Sequence, residues 1–156
     1  MKISFEITPR TVARWAIGAL LIWAALGKLA NLQEFYASLL AYDLPVPAAV
    51  LRLAAIVLPW IELVCGLLLV ADLRTDAALA WTVLLFAVFA VCTGQAWLRG
   101  LDVACGCLDL RLIGISAGSK TAAALESVKF AFVRAVVIGG IALYFFRAEV
   151  RRPESP

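Results

Sequence analysis

Ala77-Ala-Leu-Ala-Trp-Thr-Val-Leu-Leu-Phe-Ala-Val-Phe-Ala-Val-Cys-Thr-Gly-Gln-Ala-Trp-Leu98 contains no charged residue. At about 1.5 Å of rise per residue, a helix of this length crosses the ~30 Å hydrocarbon core of a bilayer. Composition extends this reading to the whole chain. Of its 156 residues, 64% are hydrophobic and 16% charged, with a mean hydropathy of +0.97. Soluble domains average roughly 45–50% apolar and about 25% charged residues. So small a soluble domain has no interior large enough to hide this much apolar surface.

Three further runs qualify as spans. The first covers about 12–30, provided Arg14 and Lys28 snorkel to opposite interfaces. The second covers about 48–71 and contains Pro59 and Glu62. The fourth covers about 128–146, with Arg134 near its start and Gly139-Gly140 offering a place for close backbone approach. Between the first two, Phe35, Leu39 and Tyr42 recur at helical spacing in a stretch too short to cross, which predicts an interfacial helix. Asp72-Leu-Arg-Thr-Asp76 reads as a tight turn that makes the second and third spans antiparallel neighbours. The expected fold is all-α: one membrane domain over 1–156, a four-helix bundle with a short interfacial helix between helices 1 and 2.

The one long connection, 99–127, carries Cys105-Gly106-Cys107 and then a candidate short helix at Thr121–Glu126. Basic residues divide almost evenly between the two faces. The clusters flanking the first and last spans (Lys2, Arg10 and Arg14; Arg147, Arg151 and Arg152) favour both termini in the cytoplasm, with the cysteine loop on the oxidising side. No Ala-x-Ala-like site follows the first apolar run, so that run is expected to remain as helix 1 rather than be cleaved.

Histidine is absent and the one methionine is Met1, which removes imidazole and thioether ligands and a histidine base from the chemistry. The net charge of +3 is spread over span ends and gives no nucleic-acid face. Two thiols separated by one glycine close only a small, strained disulfide ring, and a strained, exposed disulfide is suited to exchange. A static loop disulfide, a soft-metal pair and two idle thiols are the competing readings. Cys65 and Cys92 fall within spans at different depths and read as small buried hydrophobes, with Cys92 the nearer to the loop and the alternative electron relay. Glu62 is an ionisable group inside a span and needs a partner, for which Lys28 and Arg134 are in reach. A bundle-ordering ion pair, a proton relay and a quinone contact shared with Trp60 are its three readings. Pro59 is expected to kink the second span beside it.

Three stretches resemble one family: Gly27-Lys-Leu-Ala-Asn31 followed by Phe35 and Tyr42; Leu58-Pro-Trp-Ile-Glu-Leu-Val-Cys-Gly-Leu67; and Arg99-Gly-Leu-Asp-Val-Ala-Cys-Gly-Cys107. In that order and spacing they are similar to the MauE branch of the DoxX-like membrane proteins. The resemblance implies a four-helix membrane bundle of the bacterial inner membrane. It also implies a part in disulfide formation or redox maturation of a periplasmic client, such as the small subunit of methylamine dehydrogenase; on the thiol-exchange reading of the loop, a quinone or a thioredoxin-like protein then takes the electrons. By resemblance Cys105 and Cys107 are the redox pair, and Lys28, Glu62 and Arg134 occupy recurrent polar positions. Leu108-Asp109 stands where the family has Phe-Gly, and Ala135 where it has Asn. Two alternatives come from other classes: a non-catalytic subunit of a larger respiratory, photosynthetic or transport complex, and a DoxX-type subunit of a quinone-linked oxidoreductase.

Overall fold

A computed structural model describes residues 9–101 and 127–151. Cys105, Cys107 and the candidate helix at 121–126 lie outside the described residues. Within them the chain forms five helices: α1 (Pro9–Ala30), α2 (Leu32–Ala41), α3 (Ala48–Ala71), α4 (Thr75–Leu98) and α5 (Val128–Val150). All but α2 are long and apolar enough to cross a membrane, so the chain is a multi-pass membrane protein. α3 coincides with the sequence expectation, while α1 and α4 begin, and α5 ends, a few residues beyond it. α1 opens on Pro9, where the missing N–H costs nothing, and α5 runs on to Val150 with Arg147 in its last turn.

The bundle consists of two tight helix pairs, α1 with α3 and α4 with α5, joined by a smaller α3–α4 contact. Glycines set the first pair. A Cβ on Gly18 would lie 2.8 Å from Val70 Cγ2 and 2.9 Å from the Gly66 carbonyl oxygen, and one on Gly66 would lie 2.8 Å from the Gly18 carbonyl oxygen. Small residues that let backbones touch are how membrane helices gain packing energy where lipid offers no hydrophobic contrast. The close approach expected at Gly139-Gly140 is much weaker. Gly139 meets only Phe86 Cβ, at 3.1 Å from a built Cβ, and Gly140 faces open space.

Two ends of the bundle can be distinguished. At the turn end, Asp72 and Arg74 adopt left-handed backbone angles and the Leu73 N–H donates to the Leu68 carbonyl, reversing the chain between α3 and α4. Arg14 reaches this end and pairs with Asp72 at 2.6 Å. Ile17, Leu21, Cys65, Leu69, Ala78, Leu79 and Ala142 fill the apolar core of this half. At the opposite, loop end α1 gives way to α2, α3 begins, and the chain leaves α4 and re-enters α5. Gly100 (φ +68°) ends α4 there, with the Leu101 N–H donating to the Ala96 carbonyl. Leu101 then packs with Tyr42, Ala96 and Val128. Ser127 caps α5 by accepting from the Phe130 N–H.

One sequence expectation is corrected. Lys28 does not snorkel to the interface: it is 4% exposed and turns into the bundle. Helical side chains lean toward their own N-terminus, and from the last turn of α1 that direction leads inward. Pro59, expected to kink the second span, lies inside α3, which continues through it with the proline fully buried.

Candidate functional site

The interior of the bundle holds a buried ion pair between α1 and α3. Lys28 Nζ donates to both carboxylate oxygens of Glu62 at 2.6 Å each, a forked contact from α1 to α3. Glu62 is 8% exposed. It lies about 20 Å along α3 from the start of that helix, at 1.5 Å per residue. Two aromatic faces complete the ammonium's surroundings: the ring centroid of Phe35 on α2 is 5.2 Å away and that of Phe89 on α4 is 5.7 Å away. Rings with an electron-rich face stabilise a cation removed from water. Removing two charges from water costs several kcal/mol per ion, and only close geometry with added contacts repays it.

Arg134, from α5, joins Lys28 and Glu62 around a cavity of about 40 Å³. Leu20, Leu21 and Ala24 of α1, Leu85, Phe86 and Phe89 of α4, and Ala131 and Ala135 of α5 form the rest of its wall. All four spans therefore contribute to one chamber that is polar at one side and apolar elsewhere. A volume of this size would hold two or three waters, each needing roughly 10–15 Å³ on this measure and polar partners.

Beside the chamber, Tyr42 ends the apolar face of α2 and is 3% exposed, with no hydrogen-bond partner for its hydroxyl among the described residues. Burial pushes its pKa up to about 12; Cys92 adds to the rise and Arg134 opposes it. Tyr42 thus marks where α2, α4 and α5 meet. Asp43, next along the chain, accepts from Arg99 through its carbonyl at 2.8 Å and its carboxylate at 2.5 Å, which ties the α2–α3 linker to the end of α4.

The structure brings Lys28, Glu62 and Arg134 to one chamber, whose lining does not include Cys92, a half-buried thiol of α4. Trp60 is not part of it. Two positions from Glu62 on a helix is the opposite face, and Trp60 is 56% exposed on the outer surface, so the pocket shared by Trp60 and Glu62 does not form. Cys65 is buried in the turn-end core; it and Cys92 are free thiols. Phe35 and Phe89 are the residues that sequence reading missed as neighbours of Lys28. Phe35 was legible only as one apolar position of α2, and Phe89 is one aromatic in a helix apolar all round. Among the described residues no group of three or more thiols or carboxylates is placed to hold a metal ion.

Inside lipid, unpaired hydroxyls are costly as well, and both buried threonines bond back to their own helix: Thr82 to the Ala78 carbonyl at 2.7 Å and Thr93 to that of Phe89 at 2.8 Å. They are therefore satisfied locally and contribute nothing polar to the chamber.

No curated protein and no solved structure matches the chain. A family model does, over residues 7–147, taking in the Gly27-Lys28 end of α1, the Pro59-Trp60-Ile61-Glu62 stretch of α3 and the Cys105-Gly106-Cys107 segment. The chain belongs to the family of methylamine utilisation protein MauE.

Proposed function

We propose that this chain is a membrane thiol–disulfide redox protein of methylamine utilisation, supporting disulfide formation or maturation of an extracytoplasmic client protein through Cys105 and Cys107. One observation carries the reading: the chain leaves α4 at Leu101 toward Cys105-Gly106-Cys107 and returns at Ser127, at the end of the bundle from which α1 supplies Lys28 and α5 supplies Arg134 to the chamber. A buried charged chamber in the bundle that carries the thiol segment is suited to moving protons along with electrons.

In the forward direction a client thiolate attacks one sulfur of the Cys105–Cys107 disulfide and displaces the other as a thiolate, giving a mixed disulfide. A second client thiolate attacks the client sulfur of that bond. The client leaves oxidised, and Cys105 and Cys107 remain as a dithiol. Passing two electrons and two protons to a quinone or to a thioredoxin-like protein restores the disulfide. Both termini are assigned to the cytoplasm and the cysteine segment to the opposite, oxidising side.

The Cys107→Ser variant tests this. In the reverse direction its Cys105 thiolate attacks a disulfide of the oxidised client and displaces one client sulfur as a thiolate, and with Cys107 gone the variant is expected to accumulate a client-linked species that runs slower on non-reducing gels and vanishes with reductant. Absence of such a species, together with full function of the Cys105→Ser/Cys107→Ser double variant, overturns the reading, as does labelling of these thiols by an impermeant maleimide from the cytoplasmic side. Stoichiometric copurification with a large complex, with loop thiols that never titrate, replaces it with the subunit reading.

A further inference from the structure

A second recess lies on the outside of the bundle, where α2 packs against the first turns of α3, and the thiol chemistry makes no use of it. Leu32, Gln33 and Tyr36 of α2 and Arg52, Ala55 and Ile56 of α3 line an open groove of about 500 Å³, more than ten times the volume of the internal chamber. Within each helix these positions fall three or four apart, which sets them on one face.

Arg52 gives the groove its charge. It is exposed and, among the described residues, has no ion-pair or hydrogen-bond partner. No carboxylate lines the groove. α3 also begins with no acidic residue in its first turn and no side-chain cap, so the positive end of the helix and the guanidinium one turn later go uncompensated together. A guanidinium fork matches two oxygens of a phosphate.

Depth selects the source of that phosphate. The 24 residues of α3 extend about 36 Å, more than the ~30 Å of hydrocarbon, so its first turn lies among lipid headgroups and Arg52 sits at the boundary. Toward the membrane interior the exposed stripe of α3 continues from Ile56 to Trp60. Trp60 is about 18 Å along the helix, too deep for an interfacial aromatic belt, and its flat face suits an acyl chain. Gln33 and Tyr36 can each donate and accept hydrogen bonds, as hydroxyls of a headgroup require, whereas a headgroup amine would meet a cation and no carboxylate.

We infer that the groove binds an anionic glycerophospholipid of the phosphatidylglycerol type, its phosphodiester on Arg52, its head hydroxyls toward Gln33 and Tyr36 and one acyl chain along Ile56 and Trp60. Such a lipid bridges α2 to α3 and steadies the helix that carries Phe35 over Lys28. The inference stands apart from the thiol–disulfide reading.

The test is native mass spectrometry of the full chain in mild detergent with equimolar dioleoylphosphatidylglycerol and dioleoylphosphatidylcholine. One phosphatidylglycerol is expected to stay bound in about fivefold preference, the ratio one cationic side chain supplies beside an anionic lipid. Arg52→Gln should abolish the preference, Arg52→Lys should keep part of it, and Arg74→Gln at the other end of the bundle should leave it intact. Phosphatidylglycerol, unlike phosphatidylcholine, should also slow amide exchange over Leu32–Ala41, and this slowing should vanish in Arg52→Gln. Equal retention of the two lipids, or a preference that Arg52→Gln leaves unchanged, overturns the inference. Displacement of the lipid by millimolar inorganic phosphate overturns it in favour of a soluble phosphate. Complete disulfide formation in Gln33→Cys with Cys105 or Cys107, undiminished by phosphatidylglycerol, overturns it as well, because the chain's own segment then fills the groove.

Discussion

Lys28 Nζ sits 2.6 Å from both carboxylate oxygens of Glu62, inside a bundle whose outer surface is rich in leucine, valine, isoleucine and aromatic side chains. Each charge is tolerable there only because the other is present. Lys28→Met should leave Glu62 buried without its cation, and Glu62→Leu should strand the ammonium between two phenyl rings. Each is expected to cost about 3–5 kcal/mol in unfolding measured in detergent, the usual loss when half of a buried pair is removed. The double variant Lys28→Met/Glu62→Leu should lose less than either single one. Additive losses would mean that the two groups do not depend on each other.

The α1–α3 crossing gives a second prediction. At Gly18 a methyl group would run into Val70 Cγ2 and the Gly66 carbonyl at under 3 Å, and backbone cannot step aside cheaply. Gly18→Ala and Gly66→Ala should each destabilise by about 1–3 kcal/mol, the range for overpacking. Gly140→Ala meets nothing within 4 Å, and trading glycine for alanine inside a helix should leave stability unchanged or raise it by up to about 1 kcal/mol. Parallel thermal melts of the three variants in one detergent separate these outcomes.

Gly100 is the residue that turns the chain out of α4 toward the cysteine segment, at φ +68°. An L side chain at that angle is strained, and Gly100→Ala should cost about 1 kcal/mol. Because the Leu101 N–H to Ala96 carbonyl bond and the seat of Leu101 against Tyr42 and Val128 depend on this turn, amide exchange at Leu101 should rise. Unchanged protection there would show that the exit from α4 is held by packing alone.

The four spans were legible because nothing in water accounts for a run such as Ala77–Leu98. Helix α2 was legible too, since Phe35, Leu39 and Tyr42 share a face. Which helices pair most closely was not. Gly18 and Gly66 are single glycines far apart in sequence, and no local signal says that they meet, whereas Gly139-Gly140 is conspicuous and only grazes Phe86. Lys28 was misread for a related reason. Charge at the end of an apolar run usually marks the water boundary, but in the last turn of α1 the lysine stem leans back toward the middle of the helix, and Glu62 and two rings await it there. Trp60 failed as a partner of Glu62 through helical geometry alone.

Tyr42 supplies a prediction in pH. Burial among Ala96, Val128 and Leu101 disfavours the phenolate and raises its pKa from 10.0 to about 12; Cys92 adds to the rise and Arg134 works against it. Below pH 10 the tyrosine is neutral whether the chain is folded or not, and its contribution to stability is complete. Above pH 10 the unfolded chain gains by ionising while the folded chain does not, so stability falls by about 1.4 kcal/mol per pH unit until the folded group itself titrates near pH 12. The whole loss is of order 2–3 kcal/mol. Tyr42→Phe removes it, and since the hydroxyl has no hydrogen-bond partner among the described residues, the same change should leave stability at pH 8 unchanged or slightly higher. Unfolding of both proteins between pH 8 and pH 11.5 should give curves whose separation is constant up to about pH 10 and then widens, the phenylalanine variant being the more stable. Curves that stay parallel throughout would mean that the Tyr42 hydroxyl ionises as readily in the bundle as in water.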